Sequence, residues 1–97
     1  MVIRVVRMHF KPENRQEFLM IFEKNMTAIR NFPGCTHLEL LKDPEKENTY
    51  TTLSYWVEQK HLEAYRKSEL FESVWSRVKP LFAARPEAFT LLKYMEV

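Results

Sequence analysis

The sequence predicts an α+β fold, in which two β-α-β halves form one four-stranded antiparallel sheet with helices on one face. Three observations support this prediction. The expected elements follow the order β-α-β and then β-α-β, and each half takes about half of the 97 residues. A short polar connection over 43–48 joins the second strand of the sequence to the third. A chain of this length has room for a single domain, residues 1–97, with a modest core.

The first half begins with residues 2–10, whose β-branched side chains predict a strand. Both faces of this strand are largely apolar, so we expect it to be covered on both sides. Residues 11–13 end the strand, and their proline and acid suit the first turn of a helix over about 13–30. The helix ends at Asn31-Phe32-Pro33-Gly34, which contains the only glycine.

Two further strands are predicted at about 35–42 and 49–57, where threonines, aromatic residues and alternation favour extended structure. A short polar helix over 58–68 follows. Ser68 is a suitable N-cap for another helical segment, and Pro80 ends or kinks that segment. We expect the last strand to run from Phe89 to Val97.

Right-handed crossovers and a short central hairpin favour the ferredoxin-like arrangement of these elements. A sheet of this kind has a second face without helices, and large apolar patches on such a face indicate association. We therefore predict a homodimer that forms through the sheet faces. The patch would consist either of the following residues or of the opposite set: Val6, Met8, Phe10, Leu38, Leu40, Leu53 and Tyr55.

The composition excludes several classes of function. One glycine is too few for the loops that bind phosphates or dinucleotides, and one cysteine excludes disulfides and Cys-pair motifs. A net charge of +2, with acids and bases interspersed, predicts no nucleic-acid binding. The N-terminus lacks a signal-peptide core, and no apolar run approaches the roughly 20 residues that span a bilayer. We expect a cytoplasmic protein that does not bind membranes.

The three histidines, His9, His37 and His61, show no spacing typical of metal ligands. His9 and His37 would form a composite metal site if they lay on neighbouring strands, but we favour polar residues at a cleft or edge and predict no metal. Glu39 shares a strand face with His37, and the pair is either an acid–base pair or a solvated pair. We favour the solvated pair, and the sequence assigns no role to His61.

Aromatic residues are abundant, with 13 in 97. If one sheet face meets the helices, Trp56, Tyr65, Phe71 and Trp75 would line a single cleft. Each of them alone is compatible with a core position, but several polar tips would be costly in a dry core without partners. We therefore predict a small-molecule site. Its candidate binding residues are Arg7, His9, Trp56, Tyr65, Phe71 and Trp75.

Three segments together resemble the antibiotic biosynthesis monooxygenase family, and the resemblance covers essentially the whole chain. They are Phe10-Lys11-Pro12-Glu13, Phe32-Pro33-Gly34-Cys35, and the stretch from Tyr55-Trp56-Val57-Glu58 to Leu70-Phe71. The resemblance implies a dimeric α/β barrel, in which ferredoxin-like subunits pack sheet to sheet, each with a pocket between sheet and helices. Better-known members of the family oxidise polycyclic phenols or quinols with O₂ and without metal, flavin or other cofactor.

The resemblance carries over to a few positions. Trp56 matches the tryptophan at the end of the family's third strand, and Ser68 and Phe71 match its Ser-x-x-Phe. Tyr65 stands where many members carry histidine, which argues against a general base and leaves hydrogen bonding to a phenolic substrate. In the haem-degrading branch, the functional asparagine, tryptophan and histidine would correspond to Arg7, Tyr65 and Trp75. All three differ, so haem degradation is disfavoured.

The function predicted from the sequence is a cofactor-independent monooxygenase that acts with O₂ on a small aromatic substrate of phenol or quinol type. Arg7 or His9 would stabilise the phenolate, and Trp56 and Trp75 would form the walls. A second alternative is an isomerase of the same fold that acts on small phosphorylated signals, since Arg7 and His9 would be able to bind an anion. The remaining alternative is a non-catalytic dimer with a binding or structural role.

Overall fold

The computed structural model describes residues 1–97 and contains four strands, β1 (Val2–His9), β2 (Cys35–Lys42), β3 (Thr49–Trp56) and β4 (Glu87–Leu92). Its helices are α1 (Arg15–Arg30), α2 (Gln59–Arg66) and α3 (Glu69–Val78). All strand pairs are antiparallel, and the strand order is β2-β3-β1-β4. The predicted α+β, ferredoxin-like arrangement is confirmed, and within one chain the sheet is open. No helix is long and apolar enough to cross a membrane.

The register of the sheet determines which side chains meet the helices. Arg4 pairs with Ser54 on β3 and with Thr90 on β4, and Ser54 pairs with Leu38 on β2. Because side chains alternate along a strand, the even-numbered residues of these strands lie on one face and the odd-numbered residues on the other. Cys35 is the exception, because a bulge before His37 places it opposite Trp56 on the helix-facing side. The even-numbered set faces the helices, where Met8 and Trp56 are buried.

The core consists of two clusters on this helix-facing side. The larger one includes the stacked rings of Phe10 and Phe18, with centroids 4.1 Å apart, and is closed by Val78 of α3. The smaller one joins the ends of β1 and β3 to α2, through Val2, Cys35, Trp56 and Leu62. The helices α1 to α3 therefore bury the apolar residues that the strands present at alternate positions.

The opposite face of the sheet carries no helix, and we call it the open face. It is formed by the odd-numbered residues Ile3, Val5, Arg7, His9, His37, Glu39, Leu41, Thr51, Leu53, Tyr55, Glu87, Phe89 and Leu91. The patch expected from the sequence is wrong in its membership. Leu53 and Tyr55 lie on the open face, whereas Val6, Met8 and Leu40 lie on the helix-facing side, because both faces of β1 carry apolar residues.

The last strand is shorter than expected and is shifted towards the N-terminus. It begins at Glu87 and ends at Leu92, whereas the sequence predicted 89–97. The reason is its partner: Leu92 pairs with Val2, the first residue of β1, so no further strand residue is left to pair with. β4 is an edge strand whose six residues are all exposed, and it packs mainly on β1.

Two local predictions are confirmed at the helix ends. Ser68 caps α3, because its Oγ accepts a hydrogen bond from the backbone N–H of Phe71 at 3.1 Å. Gly34 adopts a φ of +88°, which favours glycine over other residues. A Cβ at this position would lie 2.2 Å from Cγ of His61, so the turn before β2 also needs glycine to admit α2.

Candidate functional site

A cavity of about 330 Å³ lies between the helix-facing side of the sheet and the three helices. Of its 18 lining residues, 13 are hydrophobic, which suits an apolar and planar ligand. The polar groups on its wall are few, and they come from β1, β3 and α2: Arg4, Thr52, Ser54, Tyr65 and Arg66. No carboxylate and no histidine lines the cavity.

Aromatic rings form one connected series along this cavity. Trp56 stacks on Tyr65 with centroids 5.0 Å apart, Tyr65 meets Phe71 edge-on at 5.3 Å, and Phe71 stacks on Trp75 at 5.9 Å. We call these four residues the aromatic series. The structure thus brings together the four aromatic residues singled out in the sequence, three of which, Tyr65, Phe71 and Trp75, line the cavity itself.

Trp56 lies behind the cavity wall. Its side chain is fully buried, and its indole N–H donates a hydrogen bond to Oγ of Ser54 at 3.0 Å. That bond satisfies the polar tip whose burial would otherwise be costly. Trp56 therefore supports Tyr65 from the core side.

Tyr65 is the only residue of the cavity wall with a phenol hydroxyl. Burial raises the pKa of Tyr65 to about 12, and the nearby Cys35 thiol adds to the shift when ionised. The hydroxyl therefore keeps its proton at neutral pH and is a hydrogen-bond donor. A tyrosine that keeps its proton can donate a hydrogen bond to a ligand, and it does not take up a proton as a general base would.

Arg4 is the cation on the sheet side of the cavity. Its Nη1 donates a hydrogen bond to Oγ1 of Thr90 at 3.0 Å. Burial lowers the pKa of Arg4, and the charge of Arg66 lowers it further. The ion pairs of the chain all involve other residues, so neither arginine has a carboxylate partner.

Arg7 and His9 lie on the open face, on the other side of the sheet from the cavity. Arg7 pairs with Asp43 at 3.1 Å. His9 contacts Oγ1 of Thr49 at 3.0 Å through Nδ1 and Oε1 of Glu87 at 2.5 Å through Nε2. Arg7 and His9 therefore do not join the aromatic series, contrary to the prediction from the sequence. Odd-numbered side chains of β1 lie on the open face, whereas the even-numbered ones face the cavity.

Hydrogen bonds, with smaller contributions from charges, lower the pKa values of two acids in this open-face network. The pKa of Glu87 is lowered chiefly by its hydrogen bond with His9, with the charges of His9 and Arg7 adding to the effect. The pKa of Asp43 is lowered mainly by hydrogen bonds from the backbone N–H groups of Lys46 and Glu45. Arg7 and His9 thus already have partners within the chain.

The other two histidines, His37 and His61, do not line the cavity. β3 separates β1 from β2, so the neighbouring strands that a site from His9 and His37 requires are absent. No group of three His, Cys, Asp or Glu side chains is placed to hold a metal ion. His37 lies 3.4 Å from Glu39 with both side chains over 40% exposed, as expected for a solvated pair. His61 packs against Gly34, and its buried Nδ1 has no hydrogen-bond partner.

Sequence reasoning missed the two arginines of the cavity. A signal for Arg4 was present, since it is the one charged residue among the even-numbered positions of β1, which are otherwise Val2, Val6 and Met8. Arg66 gave no comparable signal, because a basic residue in the last turn of a helix also interacts favourably with the helix dipole.

Comparison with solved structures shows the same fold over nearly the whole chain. An antibiotic biosynthesis monooxygenase superimposes with a TM-score of 0.91 at 15% identity, covering 98% of this chain and 100% of that one. A conserved protein from Methanosarcina mazei gives 0.90 at 22% identity, covering 97% and 94%. A protein from Mycobacterium tuberculosis gives 0.90 at 17% identity, covering 98% and 96%. At these identities the likeness establishes the fold.

No curated protein matches the chain. The family model described as antibiotic biosynthesis monooxygenase matches residues 1–74, which include β1 to β3, α1, α2 and the first part of α3. The matched region therefore contains Arg4 and three of the four residues of the aromatic series. On this match, over three quarters of its length, the chain belongs to the antibiotic biosynthesis monooxygenase family.

Proposed function

We propose that the chain is a monooxygenase that uses O₂ to oxidise a small aromatic substrate of phenol or quinol type bound in the cavity. In line with the family resemblance, the proposal includes no cofactor. The observation that carries it is the apolar cavity of about 330 Å³, which has the aromatic series on its wall and a protonated Tyr65 hydroxyl. Membership of the family supports the reaction type.

The cavity suits an aromatic ring for a simple reason. Phe71 and Trp75 line the cavity with nearly parallel rings, so a planar ligand would gain aromatic contacts together with the burial of its apolar surface. Tyr65 offers one donor for an oxygen on that ring. The ligand would be oriented by this hydrogen bond and held by the walls.

The proposed reaction needs no group beyond the substrate and O₂. The ionised hydroxyarene transfers one electron to O₂, and the resulting superoxide and aryloxyl radical join at a ring carbon that carries hydrogen. Loss of that carbon's proton and cleavage of the O–O bond leave a carbonyl and hydroxide. The substrate loses four electrons, one oxygen atom enters the quinone product, and the other leaves as water.

The residues of the cavity bind and orient the substrate and exclude water. Its only titratable lining groups are Arg4, Arg66 and Tyr65, none of which accepts a proton near neutral pH. We therefore infer that the substrate loses its proton to solvent. The same observation favours the second candidate function, a dimer that binds an aromatic ligand without chemistry, because such a dimer needs no proton acceptor.

The proposal includes a homodimer in which two open faces pack together and complete a barrel. Phe89 and Leu91 are 48% and 50% exposed on this face, and Leu41 is 43% exposed. Exposed apolar side chains that lie together on one face are typical of an association surface. A second copy of the same face is the occupant that the family resemblance implies.

The test of the function is oxygen consumption by metal-free protein in the presence of hydroquinones, naphthols and anthrones, with product detected by absorbance. We expect turnover that falls at least about tenfold in Tyr65→Phe, since a hydrogen bond to a developing charge is lost. Turnover by none of the compounds, together with tight binding of one of them, would contradict the monooxygenase and support the binding dimer. Tyr94→Phe is the matched control, because it makes the same change at an exposed tyrosine that does not line the cavity.

A further inference from the structure

The position of Arg4 is unusual for a cation. It lies in the middle of β1 on the helix-facing side, between Val2 and Val6, and it lines a mainly apolar cavity. A guanidinium carries five N–H donors, and Thr90 accepts from only one of the nitrogens of Arg4. Partly burying such a group without an anion is unfavourable.

Arg66 brings a second positive charge to the same cavity. The two charges repel each other, and the effect on the pKa of Arg4 shows that they are close enough to interact. Acids elsewhere in the chain are used differently: Asp43 and Glu87 pair with Arg7, and Glu47 pairs with Arg15. The protein therefore leaves two arginines without carboxylate partners at a mainly apolar cavity.

A purely structural role does not account for this arrangement. Arg66 alone would be explained by its place in the last turn of α2. Arg4 has no such explanation, because a leucine or methionine at its position would pack on the apolar wall without the cost of a partly buried charge. An anionic ligand would pair with both arginines and remove their mutual repulsion.

We propose that the ligand of this cavity is a planar aromatic anion, whose ionised group is bound by Arg4 and Arg66 while its ring packs on Phe71 and Trp75. The ionised group is a carboxylate or an ionised ring hydroxyl, which share the same charge and acceptor chemistry. This inference rests on the proposed function only in taking the cavity as the substrate site. It adds that the site selects the ionised form, which the reaction with O₂ requires.

The selection follows from the lining groups. Guanidinium groups bind anions through charge-assisted hydrogen bonds, which are about twice as strong as neutral ones. A neutral ligand of the same shape would leave both arginines unpaired, and a cationic ligand would be repelled. Tyr65 keeps its proton and is a neutral hydrogen-bond donor, so it also favours a ligand with an anionic acceptor group.

The experiment compares 2-naphthoate with its neutral isostere 2-naphthamide at pH 7. Binding is followed by calorimetry and by fluorescence of the chain's two tryptophans, both in the aromatic series. We expect wild-type protein to bind naphthoate at least about tenfold more tightly, as charge-assisted hydrogen bonds imply. Arg4→Gln and Arg66→Gln should each reduce this preference, and Arg4→Lys should retain part of it.

Arg77→Gln is the control, because Arg77 is exposed on α3 and does not line the cavity, so its removal should leave the preference unchanged. Arg66→Gln alters an exposed side chain, so it tests the proposal even if Arg4→Gln does not fold. Equal affinities of naphthoate and naphthamide for wild-type protein would overturn the inference. A preference for naphthoate that survives in both Gln variants would overturn it as well.

A second probe, 4-nitrophenol, distinguishes the source of the anion, since its ionised form absorbs visible light. Accumulation of bound phenolate below the compound's ordinary pKa would assign the site to an ionised hydroxyl, and selectivity for naphthoate alone would assign it to a carboxylate. These readouts need no turnover. Anion selectivity without oxygen consumption would refute the monooxygenase alone, and turnover of neutral hydroquinones with equal affinities for the naphthoate pair would refute this inference alone.

Discussion

The ring of Tyr65 stacks on the indole of Trp56 with centroids 5.0 Å apart, so a residue of the cavity wall rests directly on a residue of the core. Trp56 is fully buried and hydrogen-bonded to Ser54, whereas Tyr65 is partly buried and lines the cavity. The position of the only phenol on the cavity wall therefore depends on a side chain that never meets the ligand.

We expect Trp56→Phe to destabilise the protein by roughly 1–3 kcal/mol, because it removes the partner of a buried Ser54 hydroxyl and leaves part of the indole volume empty. Urea unfolding measures this change. Trp75→Phe is the matched control, since Trp75 is only partly buried and should cost less. A larger loss in the control would contradict the assignment of Trp56 to the core.

The raised pKa of Tyr65 makes a prediction about alkaline stability. A tyrosine with an ordinary pKa of 10.0 in the unfolded chain and about 12 in the folded chain favours the folded state while it is neutral. This contribution is fully present below pH 10 and is lost as the pH rises through the folded value. We expect the unfolding free energy of wild-type protein to fall more steeply between pH 10 and 12 than that of Tyr65→Phe. Identical slopes in the two proteins would show that Tyr65 titrates normally.

Gly34→Ala should destabilise the chain by at least about 1–2 kcal/mol, from the positive φ alone. The contact with His61 adds to that cost. The double variant Gly34→Ala/His61→Gly separates the two causes, because it removes both the ring and the Cβ of His61 and keeps the strained backbone. Compared with His61→Gly, the double variant should lose less stability than Gly34→Ala loses relative to wild type. Equal losses in both backgrounds would mean that the contact with His61 adds nothing.

The dimer proposed for the open face can be tested with Leu91→Lys. A lysine on this face would place two like charges between the packed sheets, and we expect the mass measured by light scattering to fall from that of a dimer to that of a monomer. Met20→Lys on α1 is the control, since Met20 is 53% exposed but lies on a helix. A monomeric wild-type protein at micromolar concentration would refute the proposed homodimer.

The order of elements could be predicted because its signals are local. Proline and acid at the start of α1, the turn at Gly34 and the cap at Ser68 each act over a few residues. The end of the last strand was not predictable in this way. It depends on where β1 begins, a partner more than 80 residues away in sequence.

The aromatic series was predictable in the same way, but the cations of the site were not. Arg4 and Arg7 lie on one strand, and both alternating sets of that strand contain apolar residues, so the sequence did not show which set meets the helices. A shift of one residue moves every side chain to the other face. The choice of Arg7 in place of Arg4 follows from that ambiguity, which only the packing of α1 to α3 resolves.

The exposed edge strand β4 has a consequence for how the cavity fills and empties. Pro86 and Ala88 form part of the cavity wall, yet the six residues of β4 are all exposed and the strand packs mainly on β1. Local opening costs least where few apolar contacts must break. We therefore expect the wall at β4 to open at a lower cost than the walls formed by the two core clusters, which would let a ligand exchange there without disturbing the core.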